Sequence, residues 1–141
     1  MSIDVGGLLT WTPAATGDFD VTIHAENSAG SADQSFTLTV ASDMPPVAFI
    51  IEPREGDTAS GTNAEFFGGS VDDYGTYQAE FFIDGGLADT DSNREAHYHI
   101  HGAHALFDTT VLTNGPHTLS MKVTDDKQQT DTATVNVTVA N

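Results

Sequence analysis

Cysteine is absent from this chain and basic residues nearly so, with Arg54, Arg94, Lys122 and Lys127 making up the whole set. Without thiols, neither a disulfide nor a thiolate metal site can form, and thiol usage says nothing about the compartment. Four bases against twenty-one Asp and Glu leave a formal net charge of −17. Such a surface repels phosphate backbones and anionic headgroups and attracts cations, so no nucleic acid partner is expected. Long hydrophobic runs are missing too. The longest, "VAFII" at Val47–Ile51, falls far short of the roughly 18 residues that span a bilayer, so no membrane insertion is expected. The opening "MSIDVGG" has neither the basic n-region nor the apolar h-region of a signal peptide, which places any export signal outside this segment.

What the chain does have is period-2 alternation, the mark of strands with one dry face. In "DFDVTIHAE", Phe19, Val21, Ile23 and Ala25 fall on one side and Asp18, Asp20, Thr22, His24 and Glu26 on the other. "QSFTLTV" repeats this with Phe36, Leu38 and Val40, across the turn-forming "NSAGSA". "YQAEFFID" sets Tyr77, Ala79, Phe81 and Ile83 against Gln78, Glu80 and Asp84 and stops at Gly85-Gly86. "HTLSMKV" and "TATVNVTV" supply two more strands of the same kind. No window carries a 3.6-residue stripe with helix caps, so the chain reads as all-β.

Two stretches share one layout: "GDFDVTIHAENSAGSADQSFTLTV" and "GPHTLSMKVTDDKQQTDTATVNVTV" each run glycine, strand, polar loop and closing Thr/Val strand. Between them "ASDMPP" reads as a linker stiffened by two prolines. The resulting division is residues 1–41, a linker at 42–46, and a second domain over 47–141. About seven alternating strands with turn signals describe an antiparallel sandwich, and the lone Trp11 with no cysteine excludes an antibody-type disulfide core.

The first segment, "GLLTWTPAATGDFDVTIHAENSAGSADQSFTLTV", resembles the C-terminal half of the cadherin-like, putative-Ig modules of bacterial surface proteins. The second, with "PPVAFIIEPREGDTASG", "AEFFIDG" and "FDTTVLTNGPHTLSMKVTDD", looks like a bacterial Ig-like domain of secreted adhesins and polysaccharide-degrading enzymes. The resemblance implies an antiparallel Ig-like β-sandwich preceded by a partial Ig/cadherin-like sandwich, in a secreted or cell-surface multidomain protein. It departs from the pattern at "HYHIHGAH", where a shorter strand is usual, and at "DDKQQTD", which replaces a Gly-Asn turn.

Those departures hold the two candidate sites. "EAHYHIHGAH" carries four of the six histidines. As a strand it sends Tyr98 and Ile100 inward and sets His97, His99 and His101 along the outer face at a Cα spacing of about 6.6 Å, with His104 beyond Gly102 as a fourth nitrogen. Imidazoles so placed suit Zn, Cu or Ni; an exposed strand face that simply needs polar residues already accounts for the pattern. The acidic turns "SVDDYG" and "TDDKQQTD" should emerge at one end of a sandwich, where Asp72, Asp73, Asp125 and Asp126 could converge on Ca²⁺. No Asp-x-Asp-x-Asp-Gly loop is present, and solvated turns explain them as well. His117, beside the Gly-Pro turn, reads as structural, and His24 as an isolated outward residue.

No nucleophile beside a base, phosphate loop or framed carboxylate pair emerges, so no enzyme is expected. The chain reads as a spacer, adhesion or interaction segment. The resemblance implies calcium, a carbohydrate target, and neighbouring Ig-like modules or another subunit completing residues 1–41. Tyr74, Phe82 and Phe67 are candidates to stack on sugar rings. The alternative is a transition-metal module built on His97, His99, His101 and His104.

Overall fold

A computed structural model describes all 141 residues and divides them into two units, Met1–Ser42 and Asp43–Asn141. It contains twelve strands, one 3-10 turn and no α-helix, the all-β class that the alternation dictates.

In the first unit, β1 (Ser2–Ile3) pairs with β2 (Leu9–Thr10), and β3 (Gly17–Asn27) with β4 (Gly30–Val40), as two separate antiparallel pairs. The long hairpin keeps its register without a bulge from Gly17↔Val40 to Asn27↔Gly30. Its polar face is sewn across the strands: Thr22 Oγ1 meets Ser35 Oγ at 2.8 Å, Thr37 donates to Asp20 at 2.8 Å, and Thr39 donates to Asp18 at 2.7 Å. His24, expected to stand alone, faces Asp33 at 2.5 Å. The apolar face is half-covered. Val21 is buried, whereas Phe19, Ile23, Phe36 and Leu38 keep partial exposure, and Trp11 meets Phe19 edge-on with ring centroids 4.8 Å apart.

The second unit is an Ig-like sandwich of two sheets. One orders β10 (His97–His99), β7 (Phe67–Val71) and β5 (Val47–Glu52); the other orders β6 (Thr58–Ala59), β12 (Thr130–Val139), β11 (Gly115–Asp125), β8 (Thr76–Ile83) and β9 (Gly86–Asp91). Every pairing is antiparallel except β12 with β6. The inward residues of the alternating strands meet as a core: Ala79 and Phe81 from β8, Leu119, Met121 and Val123 from β11, and Tyr98 from β10 are all fully buried, joined by Phe66 and Ile100. At about 25 cal/mol per Å² of apolar surface, side chains of this size contribute roughly 1.5–3 kcal/mol each, against the conformational entropy lost on ordering them.

The β8–β9 turn lies one residue earlier than expected. Asp84 (φ 50°) and Gly85 (φ 80°) form its centre, and Gly86 already belongs to β9. Two successive positive φ values are what a two-residue hairpin needs to match strand twist, and Asp-Gly supplies them at low cost.

Strand β7 has no room for a side chain at two of its positions. A Cβ on Gly68 would lie 2.3 Å from the Phe49 carbonyl oxygen and 2.8 Å from Met121 Cε, and one on Gly69 would lie 2.8 Å from the Ala96 carbonyl oxygen. These glycines leave room for β10 alongside: His97 stands opposite Gly69, Tyr98 opposite Gly68 and His99 opposite Phe67.

Candidate metal centre

The connection from β9 to β10 is built by two polar side chains. Asp91, itself buried, accepts the Asn93 N–H at 3.2 Å through Oδ1 and the His99 N–H at 3.2 Å through Oδ2. Asn93 donates in turn to the His97 carbonyl oxygen at 2.9 Å. Tyr98 turns inward, where its hydroxyl meets Thr76 Oγ1 at 2.6 Å and burial pushes its pKa up. Ile100 is fully buried as well, so the inward half of the expected alternation is present.

The outward half differs. Strand β10 stops at His99, and the chain then makes a left-handed turn in which His101, Gly102, Ala103 and His104 all have positive φ, at 66°, 66°, 40° and 59°. His101 therefore leaves the strand face on which it was expected. Its backbone N–H donates to the Asp89 carboxylate, and its ring Nδ1 lies 3.8 Å from the same oxygen. His104 from the turn and Phe67 from β7 both pack on His99, which is only 7% exposed rather than solvated. Alternation set the face correctly, but it could not show that a later turn would cover it.

Three imidazoles end up together. One ring nitrogen from each of His97, His99 and His104 lies within 4.8 Å of the others. Ring centroids are 4.8 Å apart for His97 and His99, 5.5 Å for His97 and His104, and 4.3 Å for His99 and His104. Phe67, opposite His99 on β7, stacks on it at 4.8 Å and 10° between planes. That aromatic, proposed from sequence as a sugar platform, instead packs against the histidines.

His99 Nε2 is buried with no hydrogen-bond partner, and a buried polar atom left unsatisfied costs free energy. Burial first, then the nearby His104 and His97, lower the His99 pKa and favour its neutral, lone-pair-bearing form. A cleft of about 250 Å³ opens beside the rings, lined also by Asn93 and Glu95. Backbone strain accompanies the cluster, since left-handed geometry costs roughly 1–2 kcal/mol for each of the three non-glycine residues in the turn.

The acidic turns do emerge at one end of the sandwich, where Asp125 on β11 pairs with Thr76 on β8. Their carboxylates serve mostly their own loops. Asp125 Oδ1 accepts the N–H groups of Lys127 and Gln129, each at 2.8 Å, and Asp72 accepts the Tyr74 N–H at 3.1 Å. Asp73 reaches the Met44 N–H at 3.4 Å, and Asp126 pairs with Arg94 at 3.0 Å. Even so, one oxygen on each of Asp43, Asp72 and Asp125 is buried without a partner. Asp43 joins this end through Gln129, which donates to its carboxylate. In the sequence Asp43 lies in the linker at 42–46, and only its tertiary neighbours place it at this end.

His117 is structural in its surroundings. Its Nδ1 lies 2.7 Å from Asp84 and its Nε2 2.8 Å from the Thr113 carbonyl oxygen. These two acceptors, Thr113 first, raise its pKa, while the Thr118 N–H and then His117 lower that of Asp84. Of the remaining aromatics proposed for sugars, Tyr74 is 67% exposed and Phe82 half-buried.

Comparison with known proteins agrees with this architecture. A family model described as Putative Ig domain matches residues 1–41. No curated protein matches the chain. Among solved structures, the fibronectin(III)-like modules of Clostridium thermocellum CbhA align over 92% of this chain and 65% of theirs, at 20% identity and a TM-score of 0.53. A lytic polysaccharide monooxygenase from Jonesia denitrificans aligns over 62% of this chain and 60% of its own, at 19% identity and a TM-score of 0.46. The chain thus spans about two thirds or less of the length of these structures, and no helix in it is long and apolar enough to cross a membrane. The likeness is one of fold: the chain is similar to Ig and fibronectin-III-like β-sandwich modules, with the Putative Ig domain match at its start.

Proposed function

We propose that this chain is a non-catalytic pair of Ig-like modules serving as a spacer and interaction segment of a larger secreted or surface-exposed bacterial protein. The observation that carries the reading is the contrast between the units: Asp43–Asn141 closes a dry core, while β3 and β4 form a two-stranded sheet whose apolar face stays half-exposed. Two strands alone are marginal in water, and their unpaired edges are templates for pairing. A neighbouring Ig-like module or another subunit completing residues 1–41 supplies what the hairpin lacks. The test is solution mass together with amide exchange on the full chain. Self-association, or fast exchange at Val21, Ile23 and Leu38 that slows when flanking sequence is restored, supports the reading. A strict monomer with strong protection at those three amides removes it.

Calcium belongs to the same proposal. The unpartnered buried oxygens of Asp43, Asp72 and Asp125 are hard ligands suited to a weak, extracellular-type site with affinity on the order of 10⁻⁴–10⁻³ M. They are not gathered as closely as the histidine nitrogens, so binding entails some closing of the acidic loops. Carbohydrate is the further target, with exposed Tyr74 the best-placed aromatic to stack on a sugar ring.

A further inference from the structure

We propose that His97, His99 and His104 form a three-imidazole site for a divalent transition-metal ion of the Zn²⁺ or Cu²⁺ class, with His101 outside it. This goes beyond the module reading and stands independently of the calcium proposal.

Four observations converge on it. The three ligand nitrogens already lie within 4.8 Å of one another. A tetrahedral ion with metal–nitrogen bonds of about 2.0–2.1 Å holds its ligands roughly 3.3 Å apart, so small ring rotations shared among three side chains close the site. His99 Nε2 is an orphaned polar atom on a side chain more than nine-tenths buried, and a metal bond satisfies it where no protein group does. The left-handed run from His101 to His104 carries His104 back onto the strand, and strain of this kind persists where surrounding interactions hold it in place. Finally, none of the three rings is committed elsewhere by a hydrogen bond, whereas His24, His101 and His117 each face a carboxylate.

The chemistry selects the ion class. Three imidazoles with no thiolate suit borderline cations and not Ca²⁺ or Mg²⁺, which take oxygen ligands. The adjoining cleft leaves one side of the ion open to water or to a ligand from outside, and the chain's net charge of −17 raises the local cation concentration. Phe67, stacked on His99, holds that ring in orientation in place of the carboxylate acceptor that many metal-bound histidines use.

The experiment uses the full chain without a histidine tag and titrates it calorimetrically with Zn²⁺, Cu²⁺ and Ca²⁺. The expected result is one Zn²⁺ or Cu²⁺ per chain, weakened about 10-fold or more by His104→Gln, since loss of a direct ligand costs at least as much as loss of an outer-sphere partner. His101→Gln should shift affinity by less than about 2-fold. His104 is exposed, so its variant should fold, and imidazole ¹⁵N shifts on Zn²⁺ addition give a second readout, moving for residues 97, 99 and 104 and not for residues 24, 101 and 117. Absence of saturable binding by either metal overturns the proposal. So does an equal loss in the His101 variant, competition by Ca²⁺, or ring shifts confined to other histidines.

Discussion

Asp125 illustrates how one residue can do two things with its two oxygens. Oδ1 closes the β11–β12 turn, while Oδ2 is buried and unpartnered in a residue only 1% exposed. Asp125→Asn keeps an acceptor for the turn and removes the charge. Without calcium the variant should therefore fold with a stability within about 1 kcal/mol of the parent's, since the turn keeps its acceptor. At millimolar calcium the parent's melting temperature should rise by mass action and the variant's should not. Calorimetry of both proteins with calcium and with EDTA checks this. The parent should stay folded in EDTA, since its core is built of apolar side chains. His117 provides a second residue-scale prediction. Its pKa is raised in the folded state, so its stabilisation is complete below its unfolded value near 6.5 and fades as pH rises through the folded value. The lowered pKa of Asp84 works in the opposite direction, its contribution being lost as pH falls through the folded value. The pair is thus strongest from about pH 4 to 6.5. His117→Gln should cost about 1 kcal/mol at pH 6 and less at pH 8.5, a modest figure because Asp84 is half-exposed. Urea titrations of both proteins at the two pH values measure it.

At the scale of elements, β7 decides whether the histidine site can exist. Its glycines let Phe49, Met121 and the Ala96 carbonyl approach the strand, and β10 takes its register from the same residues. Gly68→Ala places a methyl group 2.3 Å from a backbone oxygen that cannot move without dragging β5. The expected destabilisation is about 1–3 kcal/mol by chemical denaturation, the usual range for overpacking a closed core. A loss below about 0.5 kcal/mol, typical of surface changes, means that β5 shifts freely. The β3–β4 hairpin shows the complementary case. Its outer face is zipped by Thr, Ser and Asp pairs that hold register without burial, a contribution of roughly 0.2–1 kcal/mol per cross-strand pair.

For the whole molecule, a charge of −17 on 141 residues keeps chains apart and draws in cations, so both proposed ion sites lie in a favourable field. The same field opposes self-association, and whatever covers the residue 1–41 hairpin must outweigh that repulsion through apolar burial at Phe19, Ile23, Phe36 and Leu38. Added salt screens exposed charges beyond about 8–10 Å and should therefore strengthen self-association where a second copy of the chain is the cover. A cover built from flanking sequence is already tethered and is less sensitive to salt.

Much is legible in the sequence alone, because a strand's side-chain period is local. Alternation alone placed Ala79, Phe81, Leu119, Met121 and Val123 in the core, put Tyr98 and Ile100 inward, and marked the chain as all-β. Composition excluded thiolate chemistry outright. What local pattern could not supply was closure between segments distant in sequence. The left-handed turn that ends β10, buries His99 and detaches His101 from the face arises from backbone conformation at His101–His104, which no alternation encodes. The engagement of Phe67 with the histidines depends on its pairing with β10 across the sheet. Asp43 joins the acidic end through Gln129, eighty-six positions away. A period of two residues is a property of one strand, whereas a metal centre is a property of several segments meeting at a point, and only the folded chain decides where they meet.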